Sequence, residues 1–408
     1  MGDERDINFQ STERQKRILP EDSFGDWKWR EALAELMVPL IGSLYRDGVN
    51  LMIYGKSLVN ESPVAIMKAH RFARQSDNNE LSEFETYPMI EYISTLNLHD
   101  CEIDIGEIAV KCPFFDEIKE DQSKIKDYLN KELESVIDVE TVRPDEPKSI
   151  VLYGFGRIGR LLARMMTQTT GPGNYFRIKA IVIRKASDDD IFKRASLLSR
   201  DSVHGPFDGT VRVDEENTSL VVNGNAIKVI YASSPDEVKY ANHNIIDPIV
   251  IDNTGVWRDE DSLSKHLKSG ASKVILTAPA KGDIKNIVFG INDDILNDND
   301  AIISAASCTT NAIVPVLNAI NDEYSIEGGH IETVHAYTND QNLIDNFHKG
   351  DRRGRGAPLN MVITTTGAVK AVAKALPELE GKLTGNAIRV PTPNVSLAIL
   401  SLQLNKEV

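Results

Sequence analysis

The sequence is poor in cysteine, with only Cys101, Cys112 and Cys308 among its 408 residues. Because the three are widely spaced and none belongs to a CxxC pair, they exclude a disulfide framework and a structural zinc site, and no metal is expected. Basic residues are also outnumbered, and the formal net charge of −15 argues against a nucleic-acid partner, which requires a basic surface. An anionic ligand would therefore need a local cluster of donors.

Long apolar runs are absent as well. No run approaches the roughly 20 residues that a helix needs to cross a bilayer, so no membrane partner is expected. The charged N-terminus lacks the apolar core of a secretory signal, which favours a cytoplasmic protein. There is no internal repeat and no long low-complexity segment, so ordinary globular domains are expected.

Residues 1–146 have the apolar spacing of helices. The periodicity predicts three of them, over residues 27–45, 64–73 and 123–136. Residues 140–148 contain two prolines and several charged residues, which are typical of a linker. We therefore expect a mostly helical N-terminal extension that ends near residue 146.

After residue 147 the pattern changes to short apolar strands that alternate with helices. A strand over residues 149–153, a glycine-rich turn, a helix and a second strand over residues 178–183 form a βαβ unit. Further strands are predicted over residues 249–252 and 274–277. This alternation indicates an α/β fold with a doubly wound, parallel Rossmann sheet.

The turn after the first of these strands reads Gly154-Phe155-Gly156 and continues to Gly159, a GxGxxG pattern between a strand and a helix. Gly154 allows the tight turn, Gly156 lets the backbone approach a pyrophosphate, and Gly159 allows close helix packing. The helix N-terminus adds unpaired N–H donors for the anion. The pattern predicts a dinucleotide site, and a purely structural glycine turn is the alternative.

The second strand ends at Arg184 and Lys185, where an NAD-binding site usually presents an acidic residue to the ribose hydroxyls. Two cations suit the additional phosphate of NADP. We therefore expect NAD or NADP as the cofactor, with NADP or dual use favoured. Asp188, Asp189 and Asp190 follow closely and could serve the ribose instead, and a solvated strand end is the structural alternative.

The stretch SAASCTTNAIVP, residues 304–315, surrounds Cys308 with hydroxyl side chains. It predicts a strand over residues 301–305 and a helix over residues 311–321, with the cysteine at the helix start. A helix N-terminus or a nearby histidine lowers a cysteine pKa from roughly 8.5 to between about 3.5 and 7.5, which favours the reactive thiolate. His335, at the end of a predicted strand, is the candidate base. An inert buried cysteine and a structural histidine are the alternatives.

Four motifs together resemble those of phosphorylating glyceraldehyde-3-phosphate dehydrogenases. They are SCTTN, HAYTNDQ, TTTGA and GNAIRVPTPNVS, beginning at Ser307, His335, Thr364 and Gly385. The similarity extends from about residue 148 to residue 408. The resemblance implies a Rossmann NAD(P)-binding domain over residues 147–306 and an α+β catalytic domain over residues 307–408.

The resemblance also implies an activity, the reversible phosphorylating oxidation of glyceraldehyde 3-phosphate to 1,3-bisphosphoglycerate in glycolysis or gluconeogenesis. Cys308 would form a thiohemiacetal with the aldehyde, and His335 would act as the base. Hydride transfer to NAD(P) would leave a thioester, which inorganic phosphate would then cleave. The resemblance further suggests a homotetramer.

The same resemblance assigns the binding residues by their positions in the motifs. For the substrate phosphate they are Thr338 and Arg389. For the attacking phosphate they are Ser307, Thr309, Thr366 and Gly367, with Arg353 in the loop between the two anion sites. For the cofactor they are Arg157, Ile158, Thr254, Gly255 and Thr277.

The chain departs from the family pattern in three places. NAD-preferring relatives have aspartate at the position of Lys185 and a Leu-Pro pair at that of Asn346-Phe347, which again favours NADP. The extension resembles that of a longer bacterial variety, and we expect it to pack on its own catalytic body or to bridge subunits. Members of the family continue beyond the position of Val408 and supply an asparagine that holds the nicotinamide amide. We therefore expect an incomplete catalytic domain, from either a fragment or a non-catalytic protein.

Three competing functions remain at this stage. An erythrose-4-phosphate dehydrogenase would use the same cysteine chemistry. A binding or regulatory protein could retain the fold without turnover, and its Cys308 would then be no more reactive than a free thiol. A Cys-His hydrolase is the third alternative, although it does not account for the dinucleotide turn.

Overall fold

The computed structural model describes residues 23–77, 81–112, 122–139, 146–168, 175–348, 350, 352–364 and 366–407. Residues 140–145, which make up most of the predicted linker, lie outside these ranges. The chain divides into two compact units, one of residues 1–146 with 169–175 and the other of residues 147–168 with 176–408. The predicted boundary between residues 306 and 307 falls inside the second unit and stays a prediction. Within the described ranges, no helix is long and apolar enough to cross a membrane.

The described part of the first unit contains five helices and a small sheet. The helices are α1 (Ser23–Arg46), α2 (Pro63–Asp77), α3 (Glu83–Ile93), α4 (Ile105–Lys111) and α5 (Gln122–Glu132). The strands are β1 (Asn50–Ile53), β2 (Lys56–Ser57) and β3 (Glu102–Asp104), in the order β2-β1-β3. The sequence predicted α1, α2 and α5 but missed α3, α4 and the sheet. Strands this short do not display an alternating pattern.

A hydrophobic core of its own holds the first unit together. The buried residues of α1, spaced three or four apart and so on one face, are Ala34, Met37, Ile41 and Leu44. They pack in the same cluster as Met89 and Ile90 of α3. An ion pair also joins these helices, since Arg30 Nη1 lies 3.1 Å from Glu83 Oε2. A separate core of this kind is what defines a domain.

The second unit contains an eight-stranded sheet in the order β13-β12-β11-β4-β5-β10-β9-β8. Its strands are β4 (Lys148–Tyr153), β5 (Phe176–Ile183), β8 (Val211–Asp214), β9 (Ser219–Val222), β10 (Asn225–Tyr231), β11 (Ile249–Asp252), β12 (Lys273–Leu276) and β13 (Ile302–Ser304). From β13 to β10 the neighbouring strands are parallel. A short antiparallel pair, β6 (Arg200–Asp201) and β7 (Gly205–Pro206), lies outside this sheet.

Both faces of this sheet are covered, as the doubly wound prediction requires. Ile150 and Leu152 of β4 belong to one core, and Val151 and Tyr153 belong to another. Successive side chains of a strand point to opposite faces. The flanking helices are α6 (Arg157–Gln168), α7 (Asp190–Ser199) and α8 (Glu260–Lys268). The Rossmann prediction is confirmed, although the antiparallel strands β8 and β9 at one edge were not predicted.

A second, four-stranded sheet follows in the same unit. Its strands are β14 (Ile326–Ala336), β15 (Val362–Thr364), β16 (Leu383–Val390) and β17 (Leu397–Leu404), in the order β15-β16-β14-β17. Two helices, α9 (Cys308–Tyr324) and α10 (Ala368–Ala375), pack on it. Leu317 of α9 and Val372 of α10 share a buried cluster with Ile331 and Leu383 of the strands. The α+β character predicted for this region is confirmed.

Candidate active site

Every residue predicted to bind the cofactor lies at or just after the carboxyl end of a parallel strand. Gly154 follows β4, Arg184 follows β5, Thr254 follows β11 and Thr277 follows β12. The carboxyl ends of parallel strands meet at one edge of the sheet, where open α/β folds bind their ligands. The strand order therefore gathers residues that are more than 100 positions apart in the sequence.

The three glycines of the turn between β4 and α6 have different structural roles. Gly154 has a φ of +92°, and a Cβ there would lie 2.8 Å from Thr254 Cγ2. A Cβ at Gly159 would clash with the carbonyl oxygen of Gly154, whereas one at Gly156 would meet no atom within 4 Å. The open space at Gly156 is what a pyrophosphate needs, so the turn fits a dinucleotide. Phe155 is buried beneath the turn.

The two residues that follow Gly156 begin a helix. Arg157 and Ile158 form the first turn of α6, and Ile158 is exposed. Arg157 Nη1 lies 3.5 Å from the carbonyl oxygen of Pro393. Arg157 thus contacts the segment between β16 and β17.

A buried carboxylate fixes the loop that contains Thr254 and Gly255. Asp252 Oδ1 accepts hydrogen bonds from the Thr254 backbone N–H at 2.8 Å and from its hydroxyl at 2.7 Å. His266 Nε2 lies 3.1 Å from the other oxygen, and neither side chain is exposed. Thr277 Oγ1 donates to the Asp252 carbonyl at 3.1 Å. Asp252 and His266 were not predicted as site residues, although an acid at the end of a buried strand was a usable signal.

Arg184 and Lys185 are both exposed at the end of β5. Lys185 Nζ lies 3.3 Å from Asp188 Oδ1, an exposed pair, and 5.9 Å from the ring centroid of Tyr231. An exposed pair of this kind contributes only about 0–1 kcal/mol. The ammonium group can therefore exchange Asp188 for another anion at little cost.

Cys308 is the first residue of α9, so the helix begins three residues earlier than predicted. Ser307 is the N-cap, because its hydroxyl oxygen accepts from the Thr310 backbone N–H at 3.1 Å. The Asn311 side-chain amide donates to the carbonyls of Ala305 and Ser307, both at 2.9 Å. These bonds fix the loop before the cysteine and leave its thiol exposed.

The cysteine and the candidate base are in contact. His335 Nε2, near the end of β14, lies 3.6 Å from Cys308 Sγ, and Thr309 Oγ1 lies 4.0 Å from the same sulfur. The hydrogen bond with His335 lowers the pKa of Cys308 to about 7 despite partial burial. The same bond raises the pKa of His335. The helix N-terminus favours the thiolate further, because its dipole attracts negative charge.

Arg389 lies on the other side of the His335 ring, since the parallel register of β14 and β16 pairs these two residues. Its Nη1 lies 2.8 Å from His335 Nδ1, 3.0 Å from the Ala336 carbonyl oxygen and 3.4 Å from Thr338 Oγ1. Thr338 in turn donates to Asp340. The predicted substrate-phosphate residues are thus brought beside the Cys308–His335 pair.

Arg353 also reaches this cluster. Its Nη1 lies 3.0 Å from Asp340 Oδ2, and its Nε and Nη2 lie 3.1 and 2.9 Å from Thr364 Oγ1. Asp340 was not predicted as a site residue. It accepts hydrogen bonds from Thr338 and Arg353, whose donors could otherwise bind an anion. Thr366 and Gly367 lie at the start of α10, where Thr366 Oγ1 accepts from the Ala368 N–H at 3.1 Å. Among the described residues, their hydrogen bonds do not connect them to the cysteine.

Comparison with known proteins identifies the family. Residues 148–260 match the "Glyceraldehyde 3-phosphate dehydrogenase, NAD binding domain", and residues 307–408 match the "Glyceraldehyde 3-phosphate dehydrogenase, C-terminal domain". A "Glyceraldehyde-3-phosphate dehydrogenase-like protein" of Pseudomonas aeruginosa is 56% identical over 374 residues, which is 91% of this chain and 80% of the relative. "Glyceraldehyde-3-phosphate dehydrogenase 1" of Bacillus subtilis is 43% identical over 258 residues, 63% of this chain and 73% of the relative. The chain belongs to the glyceraldehyde-3-phosphate dehydrogenase family.

In this glyceraldehyde-3-phosphate dehydrogenase family member, about 150 residues precede the NAD-binding domain. The match to the Pseudomonas aeruginosa relative must extend into them, because 374 matched residues exceed the 261 residues that follow residue 147. The relative therefore shares part of the extension. No group of three or more potential metal ligands occurs in the part of the chain that the structure describes.

Proposed function

We propose that the protein is a phosphorylating glyceraldehyde-3-phosphate dehydrogenase that converts glyceraldehyde 3-phosphate, inorganic phosphate and NAD(P) into 1,3-bisphosphoglycerate. The observation that carries this proposal is the exposed Cys308 thiol at a helix N-terminus, with His335 Nε2 at 3.6 Å. A thiolate is a nucleophile suited to an aldehyde carbon. A histidine in contact can accept the thiol proton and later the hydroxyl proton of the adduct.

The proposed chemistry has two stages. The sulfur of Cys308 bonds to the aldehyde carbon and gives a thiohemiacetal. Its hydroxyl proton passes to His335 as the carbon loses hydride, which leaves a thioester. A phosphate oxygen then attacks this carbon, the C–S bond breaks, and the thiolate forms again. NAD(P), when bound, supplies the hydride acceptor. The backbone N–H groups at the start of α9 can stabilise the oxyanion of each addition step.

Two anion sites are part of this proposal. Thr338 and Arg389, which lie beside His335, would bind the phosphate of the substrate. The attacking phosphate would bind through Arg353 and a set of hydroxyl and backbone donors, namely Ser307, Thr309, Thr366 and Gly367. A guanidinium group and neutral donors together suit a tetrahedral anion.

The reaction can be tested spectrophotometrically with purified protein, glyceraldehyde 3-phosphate, phosphate and each cofactor in turn. We expect cofactor reduction that requires phosphate and that disappears in Cys308→Ser. Erythrose 4-phosphate as a competing substrate tests the alternative dehydrogenase, which is supported if its kcat/KM is the higher of the two. A folded protein that reduces neither cofactor with either substrate would be the non-catalytic form.

For the cofactor we propose dual use or a preference for NADP. The support is the exposed ammonium group of Lys185, which lies beside Arg184. The contact of Lys185 with Asp188 is weak and exchangeable. Lys185→Asp should raise the KM for NADP at least tenfold and leave the KM for NAD within about twofold, because a lost charge-assisted bond is worth about 1.5–3 kcal/mol. Lys193→Ala is the matched control, since Lys193 pairs with Asp189 nearby. A wild-type kcat/KM that is lower for NADP than for NAD would disprove the preference.

We also propose that the protein is a homo-oligomer, a tetramer by resemblance. Several large apolar side chains of the second unit are more than half exposed, including Leu343, Ile344, Phe347, Leu359 and Met361. These five side chains all fall between residues 343 and 361, and exposed apolar side chains that gather in one patch mark association sites. Light scattering after size-exclusion chromatography should give about four times the mass of one chain, and a monomer would refute the proposal.

A further inference from the structure

The imidazole nitrogen of His335 that faces away from Cys308 has two competing partners. Arg389 Nη1 lies 2.8 Å from Nδ1, and the Ala336 carbonyl oxygen lies 2.7 Å from the same atom. A guanidinium nitrogen only donates, and a carbonyl oxygen only accepts. Nδ1 can therefore bond to Arg389 only when it has no proton, and to Ala336 only when it has one.

This choice decides what His335 can do for Cys308. In neutral imidazole a single proton is shared between the two nitrogens. When Arg389 donates to Nδ1, the proton lies on Nε2, which then cannot accept the thiol proton. When Nδ1–H donates to Ala336, Nε2 is bare and can accept it at 3.6 Å. The imidazolium formed by that transfer also needs an acceptor for Nδ1–H, and the Ala336 carbonyl is the one within reach.

The surroundings of Arg389 indicate what would draw its guanidinium away. Its Nε is buried and has no hydrogen-bond partner among the described residues, while its Nη1 also reaches Thr338 Oγ1 at 3.4 Å. The nearby charges that act on it are Asp340, Arg353 and Cys308, and Asp340 is already held by Arg353 and Thr338. Nη1 thus has protein acceptors, the Ala336 carbonyl oxygen at 3.0 Å among them, whereas Nε has none among the described residues. A phosphate group is the ligand that guanidinium nitrogens bind in pairs.

We propose that Arg389 is a positioning residue for His335 as well as an anion-binding residue. A substrate phosphate bound by Arg389 and Thr338 withdraws Nη1 from Nδ1 of His335. Nδ1 then carries the proton and donates it to the Ala336 carbonyl, which frees Nε2 to accept the proton of Cys308. Binding of the phosphate end of the substrate thus activates the thiol at its aldehyde end. This inference rests on the proposed function and adds a coupling between its two parts.

The tautomer of His335 can be measured directly by NMR in the full chain with 15N-labelled histidine. The Cys308→Ser variant at pH 8.5 keeps the histidine neutral, and sn-glycerol 3-phosphate carries the phosphate without an aldehyde. We expect the Nε2–H tautomer without this ligand and the Nδ1–H tautomer at saturation, in a buffer free of phosphate and sulfate. The same tautomer in both states overturns the proposal, and so does the absence of any binding.

A second test uses Cys308 itself and needs no ligand. Arg389→Gln removes the guanidinium donor to Nδ1, so alkylation by iodoacetamide at pH 6 should become about 1.5-fold faster, as for a pKa lower by about half a unit after the loss of nucleophilicity. Arg355→Gln is the matched control, because Arg355 loses the same charge but pairs with Asp345 in the exposed loop. An unchanged or slower rate in Arg389→Gln means that Arg389 only binds anions. The NAD(P) reduction assay on the wild type tests the proposed function separately.

Discussion

The strongest quantitative prediction concerns the contact between Cys308 and His335. The 3.6 Å hydrogen bond is the main reason that the pKa of Cys308 falls to about 7. His335→Asn retains a polar side chain of similar size but cannot become a cation. Without the imidazole, the thiol pKa should return toward its ordinary value of roughly 8.5, less the contribution of the helix N-terminus.

The size of the effect on alkylation follows from two opposing terms. At pH 6.5 the thiolate fraction is about 24% for a pKa of 7 and about 1% for a pKa of 8.5, a loss of about 24-fold. A more basic thiolate is intrinsically more nucleophilic, with a Brønsted coefficient of about 0.45, which recovers about fivefold. The variant should therefore react about fivefold more slowly at pH 6.5. At pH 9, where both thiols are largely ionised, it should react about three- to fourfold faster.

Iodoacetamide is a suitable probe because it is neutral and does not respond to the neighbouring arginines. The rate at Cys308 is followed by mass spectrometry of its peptide from pH 5.5 to 9.5, in wild type and in His335→Asn. Cys101 serves as an internal reference, since burial and then Asp100 raise its pKa. The two profiles should cross between pH 7 and 9. Profiles that share one inflection would show that His335 does not ionise the thiol.

Four further substitutions test the supporting structure. Gly159→Ala should lower the free energy of unfolding by about 1–3 kcal/mol, because the added Cβ would clash with the backbone of Gly154. Gly156→Ala should leave the free energy of unfolding unchanged but weaken cofactor binding. Urea titration measures the first effect, and cofactor titration measures the second. Ser307→Ala should cost about 1 kcal/mol in urea unfolding through loss of the N-cap. Asp252→Asn should raise the cofactor KM several-fold with little change in the substrate KM, while the helix-surface control Ser264→Ala should match wild type in both.

The sequence was sufficient to locate the strands and helices that follow a regular apolar pattern. β11 and β12 are four-residue apolar strands, and both were located within one residue because they alternate with helices at the spacing of βαβ units. The strands β8 and β9 were missed although they carry a signal, since both are rich in valine and the hairpin dipeptide Asn223-Gly224 joins β9 to β10. The sheet of the first unit was missed for a different reason. Its strand β1 pairs with β3, about 50 residues away, a contact that no local pattern reveals.

For the candidate site, the sequence identified the reactive residues but not the contacts between them. A cysteine among hydroxyl residues and a histidine at a strand end were both visible, yet only the packing of two sheets brings Sγ and Nε2 to 3.6 Å. The helix was predicted over residues 311–321, with three preceding hydroxyl residues as candidates for its cap. The structure shows that the first of them, Ser307, is the cap. Asp252 was visible as an acid at the end of a buried strand, but its pairing with His266, on the following helix, has no local signature.

The topology also accounts for the position of the thiol. Cys308 follows the edge strand β13 after a three-residue loop, and β13 is parallel to β12. Its carboxyl end therefore lies at the same edge as the glycine turn and the Thr254 loop. His335 belongs to β14 of the second sheet, whereas Cys308 begins the helix that follows the first sheet. α9 connects the two, because it begins at Cys308 and buries Leu317 against Ile331 of β14. The distance between sulfur and imidazole thus depends on the packing of one helix. Small changes in that packing would change the pKa of Cys308 before they changed the fold.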